Sequence, residues 1–268
     1  FQVSRTAIWK HMQSLQQEGY TFETIKKRGY KLLAVPDRVD FGQVKQLLTT
    51  KRYGQQVHYF DQVESTQLVA HELVRQGAPD GTLVIAEHQT AGRGRMQREW
   101  ESSEGKGIWM TLIIRPEIAP HQAPQFTLVT AVAVVNAMKA SFQHFTPQIK
   151  WPNDILVNGK KTTGILTEMI AEENRIQALL IGIGINVNQQ QADFPDELQS
   201  IATSVAIEGG KPVDRVQLVA KVLEFLEHYG DHYVKHGFPR IKKLWEESSC
   251  TIGSQVRATT LREVVEGE

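Results

Sequence analysis

Two arginines interleaved with two glycines, in the run Gln-Thr-Ala-Gly-Arg-Gly-Arg at residues 89–95, carry the strongest chemical signal in this sequence. Glycine lets a backbone approach a ligand closely and take positive φ. Each arginine presents a rigid fork of donors matched to carboxylate or phosphate. A loop built this way can wrap an anion, although a solvated turn or a nucleic-acid patch would need no different residues. Three other segments carry related groups. Lys150-Trp-Pro-Asn-Asp154 sets a cation, an aromatic ring, an amide and a carboxylate around a proline-stiffened turn. An Asx-type turn that caps its own backbone reads equally well there. Lys160 and Lys161 follow an Asn158-Gly159 turn, where lysines are usually solvated. Gly182-Ile-Gly184-Ile-Asn186 ends an apolar run with an amide able to donate and accept, as an adenine edge requires. The same glycines could simply mark close backbone approach in a strand.

These segments need a scaffold, and the apolar pattern supplies one. Residues 82–88 and 107–114 read as strands, the second apolar enough to be buried on both faces. Residues 57–61 are strand-like, and Ser65-Thr66 cap a helix running from about Gln67 to Arg75. The longest helix candidate is 124–142. Strands follow at 148–151, 155–157, 163–169 and 178–187, with Asn158-Gly159 as the strongest hairpin signal. Residues 213–235 and 239–247 look helical. Hairpin-joined strands with interspersed helices predict an α+β fold on a mixed or antiparallel sheet.

The amino-terminal segment differs from the rest. Within residues 1–35, Arg5, Lys10, Lys26, Lys27, Arg28 and Lys31 outnumber Glu18 and Glu23, although the whole chain is formally neutral. A helix capped by Ser4 and stopped at Gly19 leads into a hairpin whose tip is Lys26-Lys27-Arg28-Gly29. That is the second half of a winged helix-turn-helix: a recognition helix for the major groove and a wing for phosphate. The helices that precede it in such a module are not in this sequence, so a partial module is expected. Val35-Pro36-Asp37 marks the boundary.

Composition removes other classes. Hydrophobic content of 41% and charged content of 22% speak against wholesale disorder. The lone Cys250 fits a reducing compartment. No signal peptide is visible, and the most apolar stretch, residues 128–138, falls short of the roughly 20 residues that span a bilayer. A cytoplasmic protein with no membrane partner is expected. No P-loop motif is written here, the Gly182 segment lacks the third glycine of a dinucleotide fingerprint, and no Cys/His cluster has zinc spacing.

Taken in order, Glu64-Ser65-Thr66, the 89–95 loop with Trp100 beyond it, Lys150–Asp154, Lys161-Thr-Thr-Gly164 and Gly182–Asn186 resemble the biotin protein ligases. With the winged-helix segment, the match is to the bifunctional bacterial form that is also the biotin operon repressor. The resemblance implies three parts. Residues 1–35 are a partial DNA-binding domain, and 36–248 a catalytic domain of the class II synthetase/biotin ligase type. Residues 249–268 begin a small SH3-like β-barrel, expected to be incomplete. It implies ATP and Mg²⁺ as cofactors and biotin as substrate. Biotin would be converted to biotinyl-5′-adenylate and passed to a lysine of a biotin carboxyl carrier protein domain. The adenylate would also act as corepressor, driving homodimerisation and operator binding.

The same resemblance assigns roles. Arg93, Arg95 and Lys161 are the catalytic cations and also contact biotin, with Ser65, Thr66 and Gln89 on its head and Gly92 closing over it. Arg95, Trp100, Asn186 and Asp154 hold ATP and the adenylate, and Asp154 is the Mg²⁺ candidate. Ser4, Arg5, Thr6, Trp9, Lys10, Lys26, Lys27 and Arg28 face DNA. Two rivals remain: a lipoate-type protein acyl ligase, and a ligand-sensing repressor without catalysis.

Overall fold

The computed structural model describes residues 4–17, 19–26, 28–34, 37–39, 41–172, 175–259 and 263–267. The chain divides into two compact units, Phe1–Arg38 and Val39–Glu268.

In the first unit, α1 (Arg5–Gln17) starts where expected. Ser4 Oγ accepts the Ala7 N–H at 3.1 Å, satisfying one of the amides that a helix start leaves open. Gly19 takes φ +94, a conformation that ends the helix and suits glycine. The hairpin of β1 (Thr21–Ile25) and β2 (Gly29–Ala34) is antiparallel, with Ile25 opposite Gly29. Ser4, Thr6, Trp9, Lys10, Lys26 and Arg28 are exposed. Lys27 and the side chain of Arg5, both expected to face DNA, lie outside the described residues.

The second unit opens with the short helix α2 (Phe41–Leu47) and is built on a seven-stranded sheet. Strand β3 (Val57–Val63) crosses through helix α3 (Thr66–Arg75) to β4 (Thr82–Gln89), and that crossover makes the pair parallel. The remaining pairings are antiparallel. They join β4 to β5 (Gly107–Ile114), β5 to β9 (Arg175–Asn186), β9 to β8 (Lys160–Glu172), β8 to β7 (Asp154–Val157) and β7 to β6 (Gln148–Lys150). The β7–β8 turn is the two-residue Asn158-Gly159 loop at φ +50 and +78, the left-handed pair that matches strand twist.

Period-2 alternation gives the sheet two different faces. Leu83, Ile85, Ile108, Met110, Leu112, Ile181, Ile183 and Ile185 point into one core with α4 (Gln125–Ser141) and α6 (Arg215–His236). Each such side chain contributes roughly 1.5–3 kcal/mol when fully buried. Val84, Ile113, Ala178 and Leu180 face the other way and meet α3. That second face is apolar only under α3. Beyond it lie Thr111, Gly182, Gly184 and Gly164, and these form the floor of a cleft.

Some elements carried too weak a pattern to be foreseen. The five-residue α5 (Val205–Gly209) is one, capped by Ser204 Oγ accepting the Ile207 N–H. The helix α7 (Pro239–Ser248) was expected. After it, β10 (Val256–Thr259) pairs antiparallel with β11 (Val264–Gly267), and no closed barrel forms among the described residues. No helix among the described residues is long and apolar enough to cross a membrane.

Candidate active site

A cleft of about 910 Å³ opens over the glycine-rich floor. It is walled by the start of α3, the 93–100 loop, the Lys150–Asp154 turn, and residues 250–257. Its inner end is polar and enclosed. Ser65 caps α3 by accepting the Gln67 N–H at 3.2 Å. The Thr66 N–H donates to Gln89 Oε1 at 2.9 Å, and Gln89 Nε2 donates to Ser102 Oγ at 2.9 Å. The Thr66 hydroxyl lies 2.9 Å from that of Thr111, which in turn donates to Gln67 Oε1 at 3.0 Å. A strand end and a helix start are thus laced together by side chains whose donors and acceptors face one another.

The cationic loop leaves β4 through a narrow neck. Gly92 accepts the Trp100 N–H at 2.9 Å, and the Gly94 N–H donates to the Arg98 carbonyl at 2.8 Å. A Cβ on Gly92 would stand 2.4 Å from the Trp100 carbonyl oxygen, so this position requires glycine. At the tip, Met96 and Gln97 both take positive φ, and Met96 is 73% exposed. Among the described residues, the two arginines are held by long contacts. Arg93 Nη2 is 3.4 Å from Glu64 Oε1, and Arg95 Nη1 donates to Asn153 Oδ1 at 3.3 Å.

Lys161 and Trp100 complete the outer end. Lys161 Nζ is 2.8 Å from Asp154 Oδ1 and 5.1 Å from the centroid of the Trp100 ring. The indole lies on Gly164 and Gly184, register partners in adjacent strands. A Cβ on either would come within 2.7 or 2.5 Å of the ring. Trp100 Nε1 is buried without a hydrogen-bond partner among the described residues. A cleft that is polar at one end and cationic and aromatic at the other suits a ligand combining a hydrogen-bonding head, anions and a flat ring.

The Biotin/lipoate A/B protein ligase family matches residues 59–186, and an HTH domain matches residues 1–31. The bifunctional ligase/repressor BirA of Bacillus spizizenii is 51% identical over 96% of this chain and 79% of that protein. The chain belongs to the bifunctional biotin protein ligase/repressor family. BirA of Bacillus subtilis is 50% identical over the same shares of the two chains. The biotin protein ligase of Aquifex aeolicus, solved in complex with biotin and ATP, superposes with a TM-score of 0.69 at 28% identity. That match covers 80% of this chain and 86% of the other.

In this ligase/repressor, the cleft brings together most of the residues singled out from sequence. Ser65, Thr66, Gln89, Arg93, Arg95, Trp100, Asp154 and Lys161 all line it. Gly92 and Asn186 do not. Gly92 forms the loop's neck, and Asn186 is enclosed, with Nδ2 donating to the Thr203 carbonyl at 3.2 Å and Oδ1 accepting from Gln189 Nε2 at 3.3 Å. Sequence reasoning passed over Gln67, Thr111, Ser102 and Arg98, and the contribution of residues 250–257 to the cleft; Asn153 was picked out as the amide of the Lys150–Asp154 turn but given no role. Thr111 sits inside an apolar strand and Gln67 inside a helix pattern, where one polar residue breaks no period. No group of three or more His, Cys, Asp or Glu side chains that could hold a metal occurs among the described residues. Asp154 therefore fits Mg²⁺ only in the mode in which one or two carboxylates assist phosphate oxygens.

Proposed function

We propose that this chain is an ATP-dependent biotin protein ligase that also represses transcription, with biotinyl-5′-adenylate as corepressor. The observation that carries the reading is the convergence of Arg93, Arg95 and Lys161 on a cleft whose inner end is a closed hydrogen-bonding pocket. Joining a carboxylate to a phosphate brings two anions together, and fixed cations lower that barrier without reorganising.

In the first step a biotin carboxylate oxygen attacks the α-phosphorus of ATP, and the bond to pyrophosphate breaks. Arg93 and Arg95 gather the carboxylate and phosphates. Lys161 exchanges its Asp154 partner for the charge at the reacting centre. Ser65, Thr66 and Gln89 orient the biotin head, and the backbone at Gly92 sets the loop that closes over it. Trp100 packs against adenine, and Asn186 meets the base edge by exchanging its present partners. Asp154 would hold Mg²⁺, which neutralises phosphate charge when bound. In the second step the ε-amine of a carrier-domain lysine attacks the acyl carbon and loses a proton. The bond from acyl carbon to phosphate oxygen then breaks, releasing AMP. Ordering the 93–100 loop over the adenylate keeps water out.

Residues 1–35 serve operator DNA through Ser4, Arg5, Thr6, Trp9, Lys10 and the Lys26–Arg28 wing, 36–248 carry the chemistry, and 249–268 form a small β element at the cleft. The adenylate-bound form dimerises through the sheet. β8 pairs with β7 only up to Gly164, so its remaining edge suits strand addition by a second copy. These substrates place the protein in the cytoplasm.

The test is incubation with biotin, ATP, Mg²⁺ and an apo carrier domain, read by mass spectrometry. Biotinyl adduct on one carrier lysine is expected. A folded protein that makes no adenylate overturns the reading. Biotin binding without adenylate favours a ligand-sensing repressor without catalysis, and preference for lipoate an acyl ligase of the other type.

A further inference from the structure

Gln67 and Thr111 are enclosed at the cleft floor, and backbone groups fix the direction of their hydrogen bonds. The Leu180 carbonyl can only accept, so the Gln67 atom 3.3 Å from it is Nε2, and Oε1 faces Thr111. That oxygen can only accept, so the Thr111 hydroxyl uses its one proton on Gln67. The Thr66 hydroxyl then faces two acceptors, Thr111 Oγ1 at 2.9 Å and Gln89 Oε1 at 3.1 Å, and its one proton is directed between them, with the shorter contact to Thr111. At the other end, the Thr66 N–H can only donate, so Gln89 turns Oε1 toward it and Nε2 toward Ser102. Ser102 passes its own proton to the Trp100 carbonyl at 3.1 Å.

The hydroxyl protons of Thr111, Thr66 and Ser102 are all used within this relay, with one consequence for a ligand. The Thr66 hydroxyl has no hydrogen left to offer and presents lone pairs. Gln89 Nε2 retains a second N–H. A glycine makes the arrangement possible: a Cβ at residue 182 would stand 2.9 Å from Gln67 Oε1.

We propose that Gln67 and Thr111 are positioning residues that hold the Thr66 hydroxyl as a hydrogen-bond acceptor. The site then selects a ligand head bearing N–H groups beside a carbonyl, as a cyclic urea does. The inference rests on the biotin reading above. An N–H of the urea meets Thr66 Oγ1, and the urea carbonyl meets the remaining Gln89 N–H.

Thr111→Val keeps the side-chain shape and removes the hydroxyl, and Gln67→Met removes the acceptor that orients it. Adenylate formation is measured with biotin and with biotin methylated on a ureido nitrogen. Each variant is expected to raise the KM for biotin by roughly five- to tenfold, the scale of one neutral hydrogen bond, with the KM for ATP unchanged. Thr111→Ser should retain wild-type behaviour. Methylation should cost wild type much and Thr111→Val little more, because both remove the same interaction. Unchanged KM values in both variants, or fully additive losses, would overturn the relay. Should Thr111→Val fail to fold, Gln67→Met against the same ligand pair decides. A folded wild type that forms no adenylate from biotin overturns the ligase reading itself, a result distinct from failure of the relay.

Discussion

Glu87–Arg215 and Lys161–Asp154 are ion pairs of nearly equal length, 2.9 and 2.8 Å, and their surroundings could hardly differ more. The first is sealed, with side-chain exposures of 5% and 0% for Glu87 and Arg215. Arg215 also donates to the Gly107 carbonyl at 2.9 Å, and Glu87 accepts the Val39 N–H at 2.7 Å. As the first residue of α6, Arg215 stands at the positive end of a helix dipole, where a cation is disfavoured. Its carboxylate and carbonyl partners offset that cost, so its role is to clamp β4, β5 and α6 together. The second pair is open, with Lys161 34% and Asp154 24% exposed. Its lysine leans over an aromatic ring and can turn to another anion. One pair is fixed by having every group satisfied, and the other is useful because its partner can be replaced.

The contrast is broken most forcefully at Arg215. Arg215→Met leaves Glu87 enclosed without its countercharge, and removing one member of a buried pair costs roughly 3–5 kcal/mol. Urea unfolding should show that loss, with activity falling only as the folded fraction does. A loss below about 1 kcal/mol would mean that Glu87 finds water or another partner. Lys161→Met should behave in the opposite way. The pair it breaks is partly exposed, so stability should change by about 1 kcal/mol or less. Adenylate formation should fall by more than about 2 kcal/mol of barrier, the scale of a charge-assisted contact. Arg95→Ala should show a loss of the same kind with the fold intact. Pre-steady-state adenylation at saturating substrates checks both, and near-normal rates would remove these side chains from the chemistry.

The same contrast explains what the sequence could reveal. The 89–95 loop stands out by its residue types and Asp154 by its place in the Lys150–Asp154 turn, whereas Lys161 alone reads as a solvated hairpin lysine and is picked out by the family resemblance. Arg215 does not stand out, because an arginine after an N-capping aspartate reads as a solvated helix start. The strands and long helices were legible from period alone. The parallel β3–β4 pairing and the arrival of residues 250–257 at the cleft were not, since both depend on contacts distant in sequence. Thr111 was hidden for a further reason: its partners, Thr66 and Gln67, lie in another element. Asn186 shows the converse. Its amide was read as a ligand group from its place at a strand end, yet the loop through Thr203 encloses it.

A third pair tests whether burial alone grades these effects. Lys106, the residue before β5, bonds Asp193, with side chains 41% and 23% exposed. The Lys106 hydrogen bond, helped by the Gln190 N–H, holds the Asp193 carboxyl below its ordinary 3.8. A carboxyl whose folded value is depressed adds stability above the unfolded value, and loses it as pH falls toward the folded one. Lys106→Met should therefore destabilise by less than about 1 kcal/mol at neutral pH, by an amount that shrinks in high salt. The gap between wild type and variant should hold at pH values above 3.8 and narrow below it. Because Asp193 still accepts the Gln190 N–H at 2.7 Å, part of its depression should survive in the variant. Urea melts at two salt concentrations, with titration of Asp193 by NMR, measure both quantities. A loss above about 2 kcal/mol that resists salt would place this pair with Glu87–Arg215, and exposure would then fail as the variable that separates clamp from tool.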